Sequence, residues 1–436
     1  MANSEILIIG AGAAGLMAAL TLAKAGRQVT VLEARNRCGG RIHTIDNQSF
    51  FTHGELGAEF VHGDLPVTLG LLREAGIPLL TANGEMWHYE NGQINNEGIF
   101  MEDWGLLIKC LNKLEEDISI NDFMRKEFPD DKYSDLRNAV WNFVAGYETA
   151  DPRIASCFAL RKEWQSDDNE QQYRITGGYG AMIKYLEGEC KRNKASIWLN
   201  SVVREIHWQA GNVKAITSDG TVYEAGKIII ALPLGVLQAN EEKKGTFSFY
   251  PPIGEQSNAL MKMGFGAVIK VLFQFDDFFW EEKVTSELVG KDLKNMGYLF
   301  SGEEIPTWWT QFPRKNPVLT GWLGGPGALE RKYAPVAEIL QQALQSLGNI
   351  LKRNPEDLKN KLIAFNIINW TDDPFTCGSY AYDTVASPAA RKVLNTPVYD
   401  TLFFAGEYLY DGPAMGTVEA ALKSGKDTAA KMLKML

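Results

Sequence analysis

A glycine-rich stretch near the start of the chain has the residue types and spacing that hold a phosphate. A buried strand over Ile6 to Ile9 and a helix over Leu16 to Ala25 are predicted on its two sides. Gly10 permits a tight turn, Gly12 lets backbone N–H groups approach a pyrophosphate, and Gly15 lets the helix pack closely on the strand. The helix N-terminus would then face the phosphates with the positive end of its dipole.

A second predicted strand, Val29 to Leu32, ends in Glu33. The Glu33 carboxylate can accept hydrogen bonds from an adenosine ribose, and its charge would repel a 2′-phosphate. Strand, turn, helix, strand and acid in this order indicate a dinucleotide-binding unit. The unit by itself does not separate FAD from NAD.

The residues after the acid favour FAD through a resemblance. Arg35-Asn36-Arg37-Cys38-Gly39-Gly40-Arg41 resembles the extension that marks the FAD-containing amine oxidase superfamily. There the arginine after the glycine pair contacts the phosphates, which implies this role for Arg41. The residue types agree, because Gly39 and Gly40 free the backbone for close approach and Arg41 supplies a charged fork.

Further blocks extend the resemblance over the whole chain. Residues 403–407 and 416–425 resemble the closing signature of flavin-dependent amine oxidases, which include monoamine oxidases, polyamine oxidases and lysine-specific histone demethylases. Residues 56–63 are similar to polyamine and spermine oxidases, and residues 263–280 and 370–380 to polyamine oxidases and histone demethylases. The joint occurrence of these blocks is more specific than any one of them.

Lys270 lies in a predicted strand with Val268 and Leu272 on the same face. A lysine in a strand usually points to solvent, but these apolar neighbours favour a partly buried ammonium. In the family the matching lysine holds a water against the flavin N5, which implies a catalytic role in proton movement or reoxidation by oxygen.

Tyr380 matches the family position where an aromatic ring stands beside the flavin and guides the amine; the alternative is an ordinary core tyrosine. The opposite wall, a second tyrosine in monoamine oxidases, is Thr417 here. Ser379 stands where monoamine oxidases carry the cysteine that bonds to the flavin, and Cys377 is expected two residues earlier on the same strand face. Non-covalent FAD is therefore predicted.

His62 matches a polar position of the polyamine oxidase tunnel, although a lone histidine is as often structural. Glu59 and Asp64 could attract a second ammonium or be solvated loop acids. With Lys270 and Tyr380 as the catalytic candidates, the predicted substrate-lining residues are Phe60, His62, Trp370 and Thr417. The predicted cofactor-binding residues are Gly10, Gly12, Ala14, Gly15, Glu33, Ala34, Arg35, Gly40, Arg41, Gly57, Ala58, Glu59, Val203, Gly406, Glu407, Thr417 and Val418, and no metal site is predicted.

The resemblance implies oxidation of an amine carbon by hydride transfer to the flavin, hydrolysis of the imine, and reoxidation by oxygen to give hydrogen peroxide. An L-amino-acid oxidase or a desaturase on the same scaffold is an alternative. An amino-acid oxidase needs an arginine that grips a carboxylate, and Arg153, Arg161 and Arg174 are candidates. A non-catalytic FAD-binding protein is a second alternative.

Strands and helices alternate along the rest of the chain. Strands are predicted at 202–207, 211–217 and 227–232. A last strand, of the same buried character as the first, is predicted from Thr401 and meets Gly406 and Glu407. Apolar residues at helical spacing predict core-facing helices over 104–114 and 336–347, and a helix from about Thr417 to Leu433 closes the chain.

These elements predict an α/β fold with a Rossmann-type FAD-binding domain built from separated segments and an α+β substrate-binding domain. The last strand is expected to join the N-terminal sheet. The FAD-binding domain is assigned to residues 1–76, 172–245 and 378–436, and the substrate-binding domain to 77–171 and 246–377.

The amino-acid composition limits the classes of partner that the protein is expected to bind. With 44 basic and 54 acidic residues the net charge is −10, which argues against nucleic acid and favours cationic partners such as amines. The longest apolar run, Ile228 to Leu237, is half the ~20 residues of a membrane span. The first strand begins too near Met1 for a signal peptide, and the five cysteines show no metal-ligand spacing. A cytoplasmic protein acting on a small amine and oxygen, in an unknown oligomeric state, is expected.

Overall fold

The computed structural model describes residues 5–47, 50–96, 103–165, 171–239 and 245–436. The fold is mixed α/β and is built around two larger sheets. Among the described residues, no helix combines the length and apolar character that crossing a membrane requires.

The first sheet has five parallel strands and gathers segments from both ends of the chain. In spatial order they are Ser196–Trp198, Val29–Leu32, Ile6–Ile9, Lys227–Ile230 and Leu402–Phe404. The central strand is buried on both faces, as expected of a parallel sheet that is covered on both sides. The prediction that the last strand joins the N-terminal sheet is confirmed.

Helices cover one face of this sheet and a smaller sheet covers the other. Ile6 and Ile8 pack with apolar residues of four helices, Ala13–Lys24, Pro66–Ala75, Tyr179–Arg192 and Val418–Leu433. Leu7 and Ile9 point the opposite way, into a second core. That core is shared with a four-stranded sheet of Val222–Ala225, Asn212–Thr217, Val203–Gln209 and Ser248–Tyr250.

The second larger sheet has seven strands and carries Lys270. In spatial order they are Leu362–Asn369, Val268–Phe275, Val318–Gly324, Thr307–Thr310, Met296–Ser301, Glu85–Glu90 and Gln93–Asn95. Its core includes the inward face of the Val336–Leu351 helix. The shorter helices Lys283–Val289, Gly325–Glu330 and Pro355–Lys361 also contribute to that core.

A helical group and several short elements complete the fold. The group shares one apolar core and comprises Trp104–Asn112, Ile120–Glu127, Ser134–Gly146 and Cys157–Trp164. The short strands are Thr44–Asn47 with Phe50–Glu55, Gly264–Phe265 with Ala381–Tyr382, and the three-stranded set Phe60–His62, Gln172–Ile175 and Leu79–Thr81. The remaining helices are Leu234–Leu237, Gly254–Leu260 and Ser387–Leu394, with 3-10 turns at Asp131–Tyr133, Phe279–Glu281 and Glu407–Leu409.

Most predicted elements are present with shifted ends. The last strand runs from Leu402 to Phe404, and after it the chain turns at Gly406 into a 3-10 helix. The division into two domains stays a prediction, and its ranges include residues 97–102, 166–170 and 240–244, which lie outside the described part of the chain.

Candidate active site

The glycine turn has the conformation that the sequence predicts. Gly10 has a positive φ of 102°, and a Cβ there would lie 2.6 Å from the Ala231 carbonyl oxygen. Gly15 packs so closely that a Cβ would lie 1.9 Å from the Gly10 carbonyl oxygen. A Cβ on Gly12, by contrast, would meet no atom within 4 Å. The turn is therefore tight at Gly10 and Gly15 and open at Gly12, next to the buried start of the helix at Ala13 and Ala14.

Glu33 lies beside this turn. One of its carboxylate oxygens accepts the Ala11 N–H at 2.7 Å, and the other accepts the Arg35 N–H at 2.9 Å. Ala34 lies between Glu33 and Arg35 in the turn that this second hydrogen bond closes. Burial raises the pKa of the Glu33 carboxyl, although these hydrogen bonds oppose the shift. Each oxygen keeps a further lone pair for a hydroxyl donor.

Val203 starts the strand beside Glu33. It is buried in the core that contains Ile9 and Leu32, and the nearby Ser201 N–H donates to the Glu33 carbonyl at 2.8 Å. Its predicted cofactor contact stays a prediction.

The Arg35 guanidinium binds a loop of the second half of the chain. It donates to both carboxylate oxygens of Asp373, at 2.5 and 3.1 Å, and to the Thr376 hydroxyl at 3.1 Å. It also lies 5.8 Å from the Trp370 ring. Trp370 is 3% exposed and donates its indole N–H to the Leu56 carbonyl at 2.8 Å. This loop therefore contacts both the segment that contains Arg35 and the 56–63 block.

Gly40 and Gly57 allow three backbone segments to touch. A Cβ on Gly40 would lie 3.5 Å from the Cα of Gly12, and one on Gly57 would lie 1.7 Å from the Arg41 carbonyl oxygen. The Ala58 N–H donates to the same carbonyl at 3.3 Å. These contacts place the 56–63 block against Arg41, and they place the neighbouring Gly40 next to Gly12 in the glycine turn.

Arg41 forms an ion pair with Glu407. Its guanidinium donates to Glu407 Oε1 and to the Ser379 carbonyl, each at 2.7 Å. Glu407 also accepts the Ala381 N–H, at 3.3 and 3.2 Å to its two oxygens. The N–H of Gly406 donates to the Ser424 hydroxyl at 3.0 Å, which fixes the turn before Glu407. The phosphate contact of Arg41 and the cofactor contact of Glu407 stay predictions.

Lys270 is buried more deeply than the sequence predicts. Its side chain is 1% exposed, and Val268 and Leu272 on the same face are buried. The ammonium donates to Glu59 Oε2 at 2.6 Å and to the Gly57 carbonyl at 3.0 Å. The strand placement is confirmed, and the ammonium is held by an anion and a carbonyl.

Glu59 is the centre of a buried charge network. Besides Lys270 it accepts hydrogen bonds from Arg174 and, at 3.0 Å, from the indole N–H of Trp309. Burial alone would raise the pKa of Glu59, but the Lys270 ammonium and the Arg174 guanidinium lower it to about 2. The interpretation of Glu59 as a solvated loop acid is wrong, whereas Asp64 is exposed.

An aromatic wall runs outward from this network. The Phe60 ring lies 5.9 Å from Trp309 and 6.0 Å from His62, and His62 lies 6.3 Å from Tyr147. Arg174 lies 4.4 Å from the centre of the Phe60 ring. Phe60 and His62 thus lie side by side, and Tyr147 extends their surface. Their contact with a substrate stays a prediction.

Tyr380 adjoins the far end of this wall. Its hydroxyl donates to the Tyr147 carbonyl, and its own carbonyl accepts the Gly266 N–H at 2.8 Å. The ring lies against Gly416, where a Cβ would come within 2.9 Å of it. Burial, with the nearby Glu148 carboxyl, raises the pKa of Tyr380 well above its usual range, so it remains a neutral phenol.

Thr417 follows Gly416 and caps the last helix. Its Oγ1 accepts the Ala420 N–H at 3.3 Å and donates to the Ala414 carbonyl at 2.6 Å. The helix therefore begins at Val418, one residue later than predicted.

The strand expected through Cys377 and Ser379 is wrong. Asp373 accepts the Cys377 N–H at 2.8 Å, Cys377 has a positive φ of 57°, and the strand begins only at Ala381. Ser379 contacts Thr149 through hydroxyls 2.5 Å apart. The two side chains therefore do not share a strand face.

The three arginines considered for a carboxylate grip are engaged by protein acceptors. Arg153 pairs with Asp151, Arg161 donates to the carbonyls of Leu111 and Leu114, and Arg174 pairs with Glu59.

Three residues of the site were missed or misassigned by sequence reasoning. Tyr147 and Trp309 belong to no block of the resemblance, and Arg174 was considered only as a substrate ligand. The Gln172–Ile175 strand pairs with Phe60–His62 and places Arg174 opposite Phe60. A buried acid such as Glu59 requires a cationic partner, and this requirement was the one available signal.

The chain is similar to known proteins over nearly its whole length. The family model described as flavin containing amine oxidoreductase matches residues 13–105 and 106–433. The chain is 27% identical to polyamine oxidase 4 of Oryza sativa subsp. japonica, over 99% of this chain and 89% of that protein. It is 28% identical to lysine-specific histone demethylase 2 of Homo sapiens, over 99% of this chain and 53% of that protein.

Solved structures share the fold. A wild-type putrescine oxidase bound to putrescine superposes with a TM-score of 0.78 at 20% identity, covering 99% of each chain. Cyclohexylamine oxidase from Brevibacterium oxydans gives 0.80 at 18% identity, covering 100% of this chain and 99% of that one. Because the family model spans nearly all of the sequence, the chain belongs to the flavin-containing amine oxidoreductases and is a flavin-dependent amine oxidase by family.

Proposed function

We propose that this chain binds FAD without a covalent bond and oxidises the α-carbon of a small amine, with oxygen as the final acceptor. One observation carries the proposal. The buried Lys270 ammonium binds the Gly57 carbonyl, Gly57 packs on Arg41, and Arg41 binds the backbone next to Tyr380. The two catalytic candidates are thus joined through the predicted cofactor segments.

The described residues fit FAD. A Cβ on Gly12 would contact no atom, so there is open space beside this residue. The helix that follows has no side chain hydrogen-bonded at its N-cap and no acid in its first turn. This is the arrangement that a pyrophosphate requires. Glu33 would hold the adenosine ribose, and the N-terminus of the last helix at Thr417 and Val418 would hold the carbonyl edge of the flavin ring. When bound, FAD supplies the acceptor for the amine α-hydrogen and the two electrons that reduce oxygen to hydrogen peroxide.

The protein's own side chains would orient the amine and exclude water. The wall of Phe60, His62 and Tyr147 offers apolar ring faces, and Tyr380 closes it beside Thr417. Because Tyr380 remains a neutral phenol, it presents a ring face and no anion to the amine. An uncharged amine, the form that can give up a hydride equivalent, suits this surface best.

Non-covalent attachment is supported by Ser379, whose oxygen cannot form the thioether that a cysteine forms at the matching position. The nearby Cys377 thiol is turned to the Pro374 carbonyl, 3.8 Å away. Acid precipitation tests this directly: we expect a colourless pellet and a yellow supernatant, and a yellow pellet would contradict it.

An amino-acid oxidase is not favoured, because Arg153, Arg161 and Arg174 all bind protein acceptors. A desaturase on the same scaffold has no specific feature of the described residues in its favour. The names of the relatives suggest polyamines, putrescine and cyclohexylamine as first substrates to examine.

A peroxide-coupled screen of purified yellow protein tests the proposal. The panel contains monoamines, diamines, polyamines and amino acids, with Lys270→Met and the remote surface variant Tyr333→Ala measured in parallel. We expect the wild type to produce peroxide with at least one amine. The rate of peroxide formation should fall in Lys270→Met and stay unchanged in Tyr333→Ala. Peroxide from amino acids alone would contradict the assignment.

A further inference from the structure

We infer that Glu59 and Arg174 are positioning residues that hold the Lys270 ammonium at the reacting centre. The role of Lys270 itself rests on the proposed function. Glu59 was predicted to bind the cofactor or a second ammonium of the substrate, and its observed contacts assign it a different task.

The three charges form one enclosed network. The side chain of Lys270 is 1% exposed, and those of Glu59 and Arg174 are each 4% exposed. Glu59 Oε2 accepts from Lys270 at 2.6 Å, while Oε1 accepts from Arg174 and from Trp309. Both oxygens are therefore engaged by protein donors, so the observed contacts tie Glu59 to two cations of the protein itself.

Arg174 is fixed independently of Glu59. Its guanidinium donates to the Thr310 carbonyl at 2.8 Å and to the Phe312 carbonyl at 3.3 Å, and it stacks over Phe60. A planar guanidinium held on several sides sets the position of the carboxylate that it binds. Arg174 therefore fixes Glu59, and Glu59 in turn fixes Lys270.

The charge balance makes Glu59 essential to this arrangement. Two cations and one anion leave a net charge of about +1 in a site that excludes water. Replacing Glu59 by glutamine would leave Lys270 and Arg174 as neighbouring cations without the anion to which both are hydrogen-bonded. The removal of one member of a buried set of charges is strongly unfavourable. The ammonium would then lose the partner that fixes its direction.

Oxygen reactivity tests the inference without any amine. The FAD-loaded protein is reduced anaerobically by light with EDTA as the electron donor, and it is then mixed with oxygen. Two electrons pass from the reduced flavin to oxygen, which takes up two protons from the flavin and the solvent and becomes hydrogen peroxide. We expect Lys270→Met and Glu59→Gln each to slow this step at least about tenfold. Glu59→Asp, which keeps the charge, should stay within about threefold of the wild type.

Glu282 supplies a matched control. It pairs with Lys361 at 2.9 Å and with Arg353 at 3.1 Å, so it is also a glutamate between a lysine and an arginine. It is not among the residues of the candidate active site. Glu282→Gln should leave the rate unchanged. It should also leave unchanged the visible absorption spectrum of the resting flavin, which Glu59→Gln and Lys270→Met should both shift.

The double variant Lys270→Met/Glu59→Gln should be no slower than Lys270→Met, because Glu59 acts through Lys270. Additive slowing, a wild-type rate in Glu59→Gln, or a wild-type rate in Lys270→Met would each overturn the inference.

If Glu59→Gln does not retain FAD, the Arg174→Lys variant tests the network instead. Slowing of reoxidation by about threefold or more supports the network, and an unchanged rate contradicts it. A protein that no amine reduces, yet whose reoxidation depends on Glu59, would refute the proposed function and leave this inference standing.

Discussion

The Arg41 guanidinium donates to the Glu407 carboxylate at 2.7 Å, which joins residues 366 positions apart in the sequence. The same pair binds the chain on both sides of Tyr380, because Arg41 donates to the Ser379 carbonyl and Glu407 accepts the Ala381 N–H. One ion pair therefore links the segment that contains Gly39 and Gly40, the closing block and the backbone on both sides of Tyr380.

Glu407→Gln should destabilise the protein even without FAD. The Glu407 side chain is 3% exposed, and its loss leaves the Arg41 guanidinium without its anion. We expect the free energy of unfolding to fall by about 1–3 kcal/mol, measured by urea denaturation of FAD-free protein. Glu356→Gln, in an exposed pair with Lys359, is the control and should have no measurable effect. Equal stability of the two variants would refute this role of Glu407.

Gly12→Ala and Gly15→Ala should separate cofactor binding from folding. The added Cβ meets no atom at Gly12 but lies 1.9 Å from the Gly10 carbonyl oxygen at Gly15. Gly12→Ala should change the stability of the FAD-free protein by less than about 1 kcal/mol and raise the Kd for FAD at least about tenfold. Gly15→Ala should cost about 2 kcal/mol or more of stability. Unaltered FAD affinity in Gly12→Ala would show that the cofactor does not lie on the turn.

Tyr380→Phe and Tyr380→Ala should differ widely in amine oxidation. The first keeps the ring and loses only the hydrogen bond to the Tyr147 carbonyl, whereas the second removes the ring that closes the aromatic wall. We expect the rate of anaerobic flavin reduction to fall about threefold to tenfold in Tyr380→Phe and more than about a hundredfold in Tyr380→Ala. A wild-type rate in Tyr380→Ala would place the substrate elsewhere.

Glu55 should make stability depend on pH. Burial raises its pKa from 4.5 to about 7, although the Thr44 hydroxyl and the Tyr179 N–H oppose the shift. Between these values the folded protein binds more protons than the unfolded chain, so the stability that Glu55 contributes is present at low pH and decreases as the pH rises through 7. Relative to Glu55→Gln, the wild type should lose about 2–3 kcal/mol between about pH 5 and about pH 8 in urea unfolding. A constant difference between the two proteins would contradict the shift.

The nucleotide-side elements were predictable because their signals are local. The strand over Ile6–Ile9, the strand over Val29–Leu32 and the helix that ends at Leu433 follow from apolar runs and from glycine or acid positions within a few residues. The pairing of Leu402–Phe404 with the first sheet followed from its buried character. These features need no knowledge of distant contacts.

The charge network could not be predicted, because its members are distant in sequence. Lys270 and Glu59 are 211 positions apart, and Arg174 meets Glu59 only through the pairing of two short strands. Alternation correctly placed Lys270 among apolar neighbours, but it gave neither the depth of burial nor the partner. The turn at Cys377 was missed because the spacing of two residues between Cys377 and Ser379 was interpreted as strand alternation.

Anaerobic titration of the yellow protein with amines tests the central claim most directly. We expect at least one monoamine, diamine or polyamine to bleach the flavin absorption with one amine consumed per flavin, and oxygen to restore the colour with one hydrogen peroxide released. A preparation that holds no flavin, or one that no amine bleaches while amino acids do, would contradict the account.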